Sequence, residues 1–429
     1  MGSGDSCSRS ERVGKPLCFL TTNPTPHSLL PTPQTGVDMK KRITFFALAF
    51  LAISGFHLAA QTLSVSGLLD STVSLRAGAG DAPAFSYGFE EYANIRMQAR
   101  IRDMAVFFCD VNFIAAAGDH AFTAEQMAAA SPAGINPTPY IAGTNYIAGI
   151  ELERLYFRIN ANTVRLETGL LRLPFGYGQI WGPTDFLNPR NPLVPDARPR
   201  AVLGAGLSWY PTDTLKLVGF GAAPRDPFSQ EGAGGHAGLM MEQQWDRIDF
   251  QAMYSYESPR PGSNRGIHRA GVSLKADVEI GLVIDALYTY NREAETGLDG
   301  LSFSAGFDYS LFSGNLIILA EYLYNGAASS TSRTGGGNFS NGHYLYTGFT
   351  WRFSDFTNAG LALISGFDDV SFTPIISLNH ELFQGATLTV SAQIPLDRDL
   401  FSGNGSRGEL GPQTTGTYFN SSVKLRLRF

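Results

Sequence analysis

Cysteine is nearly missing from this chain: Cys7, Cys18 and Cys109 are its only three in 429 residues. That excludes a disulfide-stapled scaffold. Charge is thin too, at 16% Asp, Glu, Lys and Arg, with a net charge of −6. Such a balance argues against nucleic acid as a partner. Long apolar runs are also lacking. After Ile53 no stretch reaches the roughly 18 apolar residues that a membrane-spanning helix needs. Histidine is sparse, and His120, His236, His268, His343 and His380 include no two at metal-ligand spacing. There is no G-x-S-x-G, and Gly335-Gly336-Gly337 has neither the Lys nor the helix of a phosphate loop. Asp368-Asp369 reads as an exposed turn rather than a Ca²⁺ site. No catalytic residue, metal or cofactor is expected, and the chain is not read as an enzyme.

What is present begins with an export signal. Met39-Lys40-Lys41-Arg42 precedes the apolar run Ile43 to Ile53, then Ser54-Gly55 and Ala59-Ala60-Gln61. A charged start, an apolar stretch too short to span a bilayer and small residues at its end make a secretory signal peptide over 39–60. Cleavage is expected after Ala60. No Cys follows the apolar run, which argues against a lipid anchor. Residues 1–38 are polar, rich in Pro, Thr and Ser and without periodicity, and read as a non-native or disordered extension. Removing residues 1–60, with six Lys/Arg and three Asp/Glu, from totals of 32 and 38 leaves 26 basic and 35 acidic side chains, a net charge of −9.

The rest, 61–429, repeats one pattern. The chain ends "YFNSSVKLRLRF", where Phe419, Val423, Leu425, Leu427 and Phe429 alternate with Tyr418, Asn420, Ser422, Lys424, Arg426 and Arg428. A period of two is a strand with two unlike faces. Leu301 to Leu311, Ile280 to Tyr290, Tyr344 to Phe353 and Ala93 to Ile101 alternate the same way. Tight connections fall near 102–103, 160–162, 212–213, 246–247, 276–277, 313–315, 354–355 and 384–385. Looser ones lie between them, at 77–86, 118–143, 173–199, 224–234, 258–265, 291–298, 326–341, 366–369 and 397–414. Eight short turns and nine mostly longer loops join eighteen strands, with sixteen as the other count. Aromatic residues gather at both strand ends. Trp209, Tyr210, Trp245, Phe312, Trp351, Phe353, Phe383 and Phe429 mark the short-turn side. Tyr254, Tyr256, Tyr288, Tyr290, Tyr322 and Tyr324 mark the loop side.

Short turns on one side, long loops on the other and two aromatic girdles describe an all-β transmembrane antiparallel barrel. Closure is required in lipid, because an open edge would strand N–H and C=O groups at several kcal/mol each. On these features, and above all on the last strand ending in Phe429, residues 61–429 resemble bacterial outer-membrane β-barrel proteins of the large porin-like class. The resemblance implies outer-membrane lipid around the barrel, periplasmic short turns, external loops, and barrel-assembly machinery that reads the strand ending in Phe429. Two stretches fit poorly. Pro374 interrupts the strand near 370–383 and demands a bulge, and 313–327 is apolar on both faces.

If the apolar faces meet lipid, the other faces line a lumen. Arg96, Arg100, Arg154, Arg158, Arg165, Lys424, Arg426 and Arg428 then form a basic sector. Asp249, Asp285, Asp308, Glu321 and Glu381 form a largely opposite acidic sector. Unpaired, the two would set a transverse field that sorts solutes by charge. Paired across strands, as Arg165 with Glu167, they would be wetted wall. The stretch Leu173 to Arg200 carries six prolines with Phe175, Tyr177, Trp181 and Phe186. It is too aromatic for a disordered loop, and reads either as a constriction folded into the lumen or as a surface cap. As a constriction it would present Trp181, Asp185, Arg190, Asp196 and Arg198 to the path. The expected function is passive diffusion of small hydrophilic solutes, with a weak preference for anions because the loop hangs from the strand that carries Arg165. An apolar-ligand transporter, and a barrel that only displays its loops as an adhesin or antigen, are the alternatives. The oligomeric state is not legible.

Overall fold

The computed structural model describes residues 62–78, 85–118, 140–143, 145–189, 198–199, 201–223, 234–259, 265–291, 298–326, 341–398 and 408–429. The expected signal peptide over 39–60 and the extension expected before it lie outside these residues. The strands, in chain order, are β1 (Thr62–Gly78), β2 (Phe85–Ile101), β3 (Ala105–Gly118), β4 (Tyr140–Ala142), β5 (Tyr146–Ala161), β6 (Val164–Leu171) and β7 (Val202–Trp209). Next come β8 (Leu215–Ala222), β9 (His236–Trp245), β10 (Ile248–Glu257), β11 (Ile267–Asp277), β12 (Gly281–Asn291), β13 (Leu301–Leu311) and β14 (Leu316–Asn325). The last are β15 (His343–Ser354), β16 (Thr357–Gly366), β17 (Ser371–Phe383), β18 (Ala386–Gln393), β19 (Leu396–Asp397) and β20 (Thr417–Arg428).

Each long strand pairs antiparallel with its neighbours in the chain, and β20 pairs with both β18 and β1, which closes the barrel. Short β4 and β19 add only to β5 and β17. Eighteen strands therefore form the wall among the described residues. Closure leaves no backbone edge for lipid to meet. The alternation decides which way each strand faces. Leu63, Val65, Val73 and Leu75 of β1 point outward, while Asp70 between them is buried. The same holds across the closing seam, where Val423 is outward and Arg426 reaches Asp70 inside. So many large apolar side chains on an outer surface suit a hydrocarbon solvent and no other.

Several of the short turns pass through positive φ. Arg102, Asn162 and Asp246 adopt φ of 51°, 50° and 32°, and the 312–315 turn runs through three left-handed residues ending at Gly314. Two expectations need correction. The turn placed at 276–277 is formed instead by 278–280, since β11 runs to Asp277. At Pro374 β17 has no bulge; its one register shift falls between Glu381 and Phe383. The Pro374 carbonyl accepts from Ile394 N–H at 3.1 Å. The absent Pro374 N–H would face the same way, into the gap where β18 has ended and β19 has not begun. The proline costs the ladder at most the one bond its N–H would have made, at a point where the pairing is already interrupted between β18 and β19.

Candidate functional site

The loop that leaves β6 does not stay on the rim. Leu173, Phe175 and Leu187 pack on Val218, Phe220 and Ala222 of β8, Met240 of β9 and Met253 of β10, all on the inner wall. Phe175 stacks on Phe186 at 5.7 Å and tilts against Phe220 at 4.9 Å. A backbone buried like this needs partners for its N–H groups, and the wall supplies carboxylates. Tyr177 and Gly178 donate to Asp285 at 3.1 and 2.9 Å. Gln179, Ile180 and Trp181 donate in succession to Glu321 at 3.0, 3.0 and 2.9 Å. The indole N–H of Trp181 adds a bond to the Glu321 carbonyl at 3.1 Å. Hydrogen bonds to a charged acceptor contribute about 1.5–3 kcal/mol each, so this tip is firmly held. Gly176 makes the approach possible: its φ is 79°, and a Cβ there would lie 2.5 Å from Asp285 Oδ2.

A second loop joins the first. Leu410, in the connection between β19 and β20, is buried with Trp181, Leu323, Tyr344 and Ile364. Glu409 beside it accepts from Tyr344 Oη at 2.5 Å and from Asn341 N and Nδ2 at 3.1 and 2.9 Å. The Leu410 N–H donates to Ser371 Oγ at 3.1 Å. Together the two loops cover the inner wall from β8 round to β17.

The remaining arc, β20 through β1, β2, β3 and β5 to β6, is lined by charges. Arg154 and Arg96 both pair with Asp110, at 2.8 and 3.4 Å. Arg158 pairs with Glu167, and Arg426 grips Asp70 with two bonds of 2.7 Å. Asn112 holds Glu151 and Glu153 at 3.0 and 2.9 Å and accepts from Tyr92 Oη at 2.7 Å. Against this arc the loop sets Arg172, paired with Glu153, and Arg198, which lies 4.1 Å above the Tyr92 ring and 3.3 Å from Glu153. Burial works against the charge on Arg198, but Tyr92, Glu153 and Glu151 outweigh it and raise its pKa.

Each residue of the expected basic sector stands on the inward-facing register of β2, β5, β6 or β20. The Arg96 side chain keeps 45% of its surface exposed, and Arg100 and Arg428 are also exposed. Arg165 donates to Asn160 and lies over the Tyr210 ring. Lys424 is half-buried opposite Thr72 and Thr389. The sector is not bare charge, because its acids sit on adjacent strands. Two acidic residues differ from the expectation that they face solutes. Asp285 and Glu321 are 0% and 1% exposed, since the loop covers them. Asp308 accepts from Gln179 Nε2 at 3.0 Å, and Asp249 and Glu381 are half-buried on the wall. Trp181, expected in the path, is 3% exposed and serves as the anchor between the loops. Asp185 is half-buried, its N–H bonded to the Gly182 carbonyl. Arg190 and Asp196 lie outside the described residues. Phe429 exchanges backbone bonds with Gly67 at 2.8 and 3.0 Å and is exposed on the outer face.

The chain matches no family model, and no curated protein is similar in sequence. Solved structures share its fold. It is similar to a BenF-like porin from Pseudomonas fluorescens Pf-5, with a TM-score of 0.56 and 10% identity over 86% of this chain and 99% of that one. Acinetobacter baumannii OccAB1 gives 0.52 and 12% over 86% and 97%. Pseudomonas aeruginosa OccK2 (OpdF), solved in complex with glucuronate, gives 0.52 and 9% over the same shares. The fold is that of outer-membrane porins.

Proposed function

We propose that this protein is a channel in the bacterial outer membrane for passive diffusion of small hydrophilic solutes, with a weak preference for anions. The observation that carries the reading is the asymmetry of the lumen. Inward loops cover the acidic sector's Asp285 and Glu321 with their own N–H groups. The arc bearing Arg96, Arg100, Arg154 and Arg158 keeps guanidinium surface toward the lumen. An eighteen-strand barrel is wide enough to hold water beside such a loop, and charge exposed along a narrow, partly desolvated path selects by sign. The carboxylate-bearing sugar held by one barrel of this fold is the class of solute such a wall would favour. We also read Phe429, paired at the seam with Gly67, as an element recognised by barrel-assembly machinery.

Planar-bilayer recording of the purified protein in a salt gradient tests the function. The expected trace shows discrete conductance steps and a small reversal potential of anion-selective sign. Absence of conductance in any salt would end the channel reading in favour of loop display or apolar-ligand transport.

A further inference from the structure

We propose that Glu153 is the positioning residue of the lumen loop and, through the two arginines it neutralises, a determinant of the charge a solute meets. The inference rests on the channel reading for its second half only.

The sequence "ELER" spans Glu151 to Arg154. Asp110 of β3 stands opposite Arg154, but its neighbour Val111 stands opposite Leu152, so Glu153 is the extra residue of a β-bulge. Strict alternation would put Glu153 and Arg154 on opposite faces. The bulge instead turns Glu151, Glu153 and Arg154 all inward, which is what bulges near functional sites do. Glu153 is nearly buried, and its two oxygens have different tasks. Oε1 takes Arg172, the first residue after β6. Oε2 takes Arg198 at 3.3 Å, a few residues before β7, and Asn112 at 2.9 Å. One carboxylate thus ties both limbs of the loop to the wall at its base. Of the other acids, Asp285 and Glu321 hold the tip, Asp110, Glu167 and Asp70 hold arginines of the wall, and Glu151 approaches the Arg198 limb, at 3.9 Å. Glu153 is where the loop's base and the charged arc meet.

The test uses the full chain purified in detergent. Hydrogen exchange of the amides of residues 176–181 reads loop order without needing conductance. Glu153→Gln should speed that exchange about ten-fold, while Asp277→Asn, which removes an exposed pair with Lys275, should leave it unchanged. In bilayers, Glu153→Gln should move the reversal potential toward anions. Adding Arg198→Gln to it should bring the potential back while exchange stays fast, a split that loss of stability alone would not produce. Unchanged exchange in a folded Glu153→Gln barrel overturns the positioning role, and an unchanged reversal potential overturns the charge role. If Glu153→Gln does not fold, Arg198→Gln alone reads the same device: faster exchange supports it and unchanged exchange refutes it. A wild-type protein without conductance removes the channel reading while the exchange result stands on its own.

Discussion

The two arcs of this lumen solve the same problem differently. From β8 to β17 the inner wall carries Val218, Phe220, Met240, Met253, Leu323, Tyr344 and Ile364, and chain folds in to cover them. From β20 to β6 the inner wall carries Asp70, Arg96, Asp110, Arg154, Arg158 and Glu167, and these cover one another by pairing across strands. An apolar inner face needs an occupant. A charged one needs only an adjacent counter-charge and water. The difference lies in the composition of the inner face: among the described residues, chain packs onto the half that carries these apolar side chains, and the half that carries these charges pairs within itself.

The comparison is broken most severely by removing the occupant. Deletion of residues 177–196 takes away the tip held by Asp285 and Glu321, and single-channel conductance should at least about double, since the bare barrel is of water-channel width. A milder break is Glu321→Ala. It strands three successive N–H groups at Gln179, Ile180 and Trp181, and an unpaired buried donor costs about 1–3 kcal/mol. Recordings should show frequent transitions to a larger conductance, with the ordinary level still present. The other arc is sharpened by Arg154→Gln with Arg158→Gln. The arc then keeps Asp110 and Glu167 with fewer partners, and the reversal potential should move toward cation selectivity with conductance changed little. An unchanged reversal potential would show that neither arginine faces the path.

Much of this was legible in the residues. Period-two alternation and the turn residues Asp103, Asn162, Asp246, Gly314 and Gly385 placed the strands and the short connections. Proline and aromatic content marked the 173–200 loop as ordered, and its described stretch 173–189 packs on the wall. What the loop grips was not legible, because Asp285 and Glu321 look alike in sequence whether wetted or capped by N–H groups. A signal did exist. The stretch 313–327, apolar on both faces, fits poorly as a wall beside water. It fits well once Leu323 is seen packed with Trp181. The bulge was legible in the same indirect way. With Arg154 and Arg158 inward, unbroken alternation would send Glu151 and Glu153 into lipid, where charges on the outer face are disfavoured. Two carboxylates on the wrong face are the mark of a register break between them and Arg154. Pro374 misled because a proline's cost depends on which neighbour its N–H would face: toward β16 the register runs on unbroken, and toward the other side it falls where β18 has just ended, which sequence alone does not show.

The smallest effect is expected at the seam, which lies within the charged arc. Between Leu68 and Gly78, β1 pairs with β20 along most of its length, and Arg426 adds its two-bonded grip on Asp70 inside. Phe429 contributes its backbone bonds to Gly67 and a ring on the outer face, where a Cβ on Gly67 would come within 2.6 Å of the ring. Full burial of such a ring stabilises by roughly 1.5–3 kcal/mol, but this one is 71% exposed to the surroundings, and lipid is already an apolar solvent for it. Deleting Phe429 should therefore leave the stability of detergent-refolded barrel nearly unchanged, measured as the denaturant midpoint. Its yield in outer membranes should fall, because the deletion removes the chain end proposed to be read during assembly. A lowered midpoint with normal yield would reverse the assignment: the ring would then be part of the seam's own adhesion, and the charged arc would depend on its outer face as much as the filled arc depends on its loops.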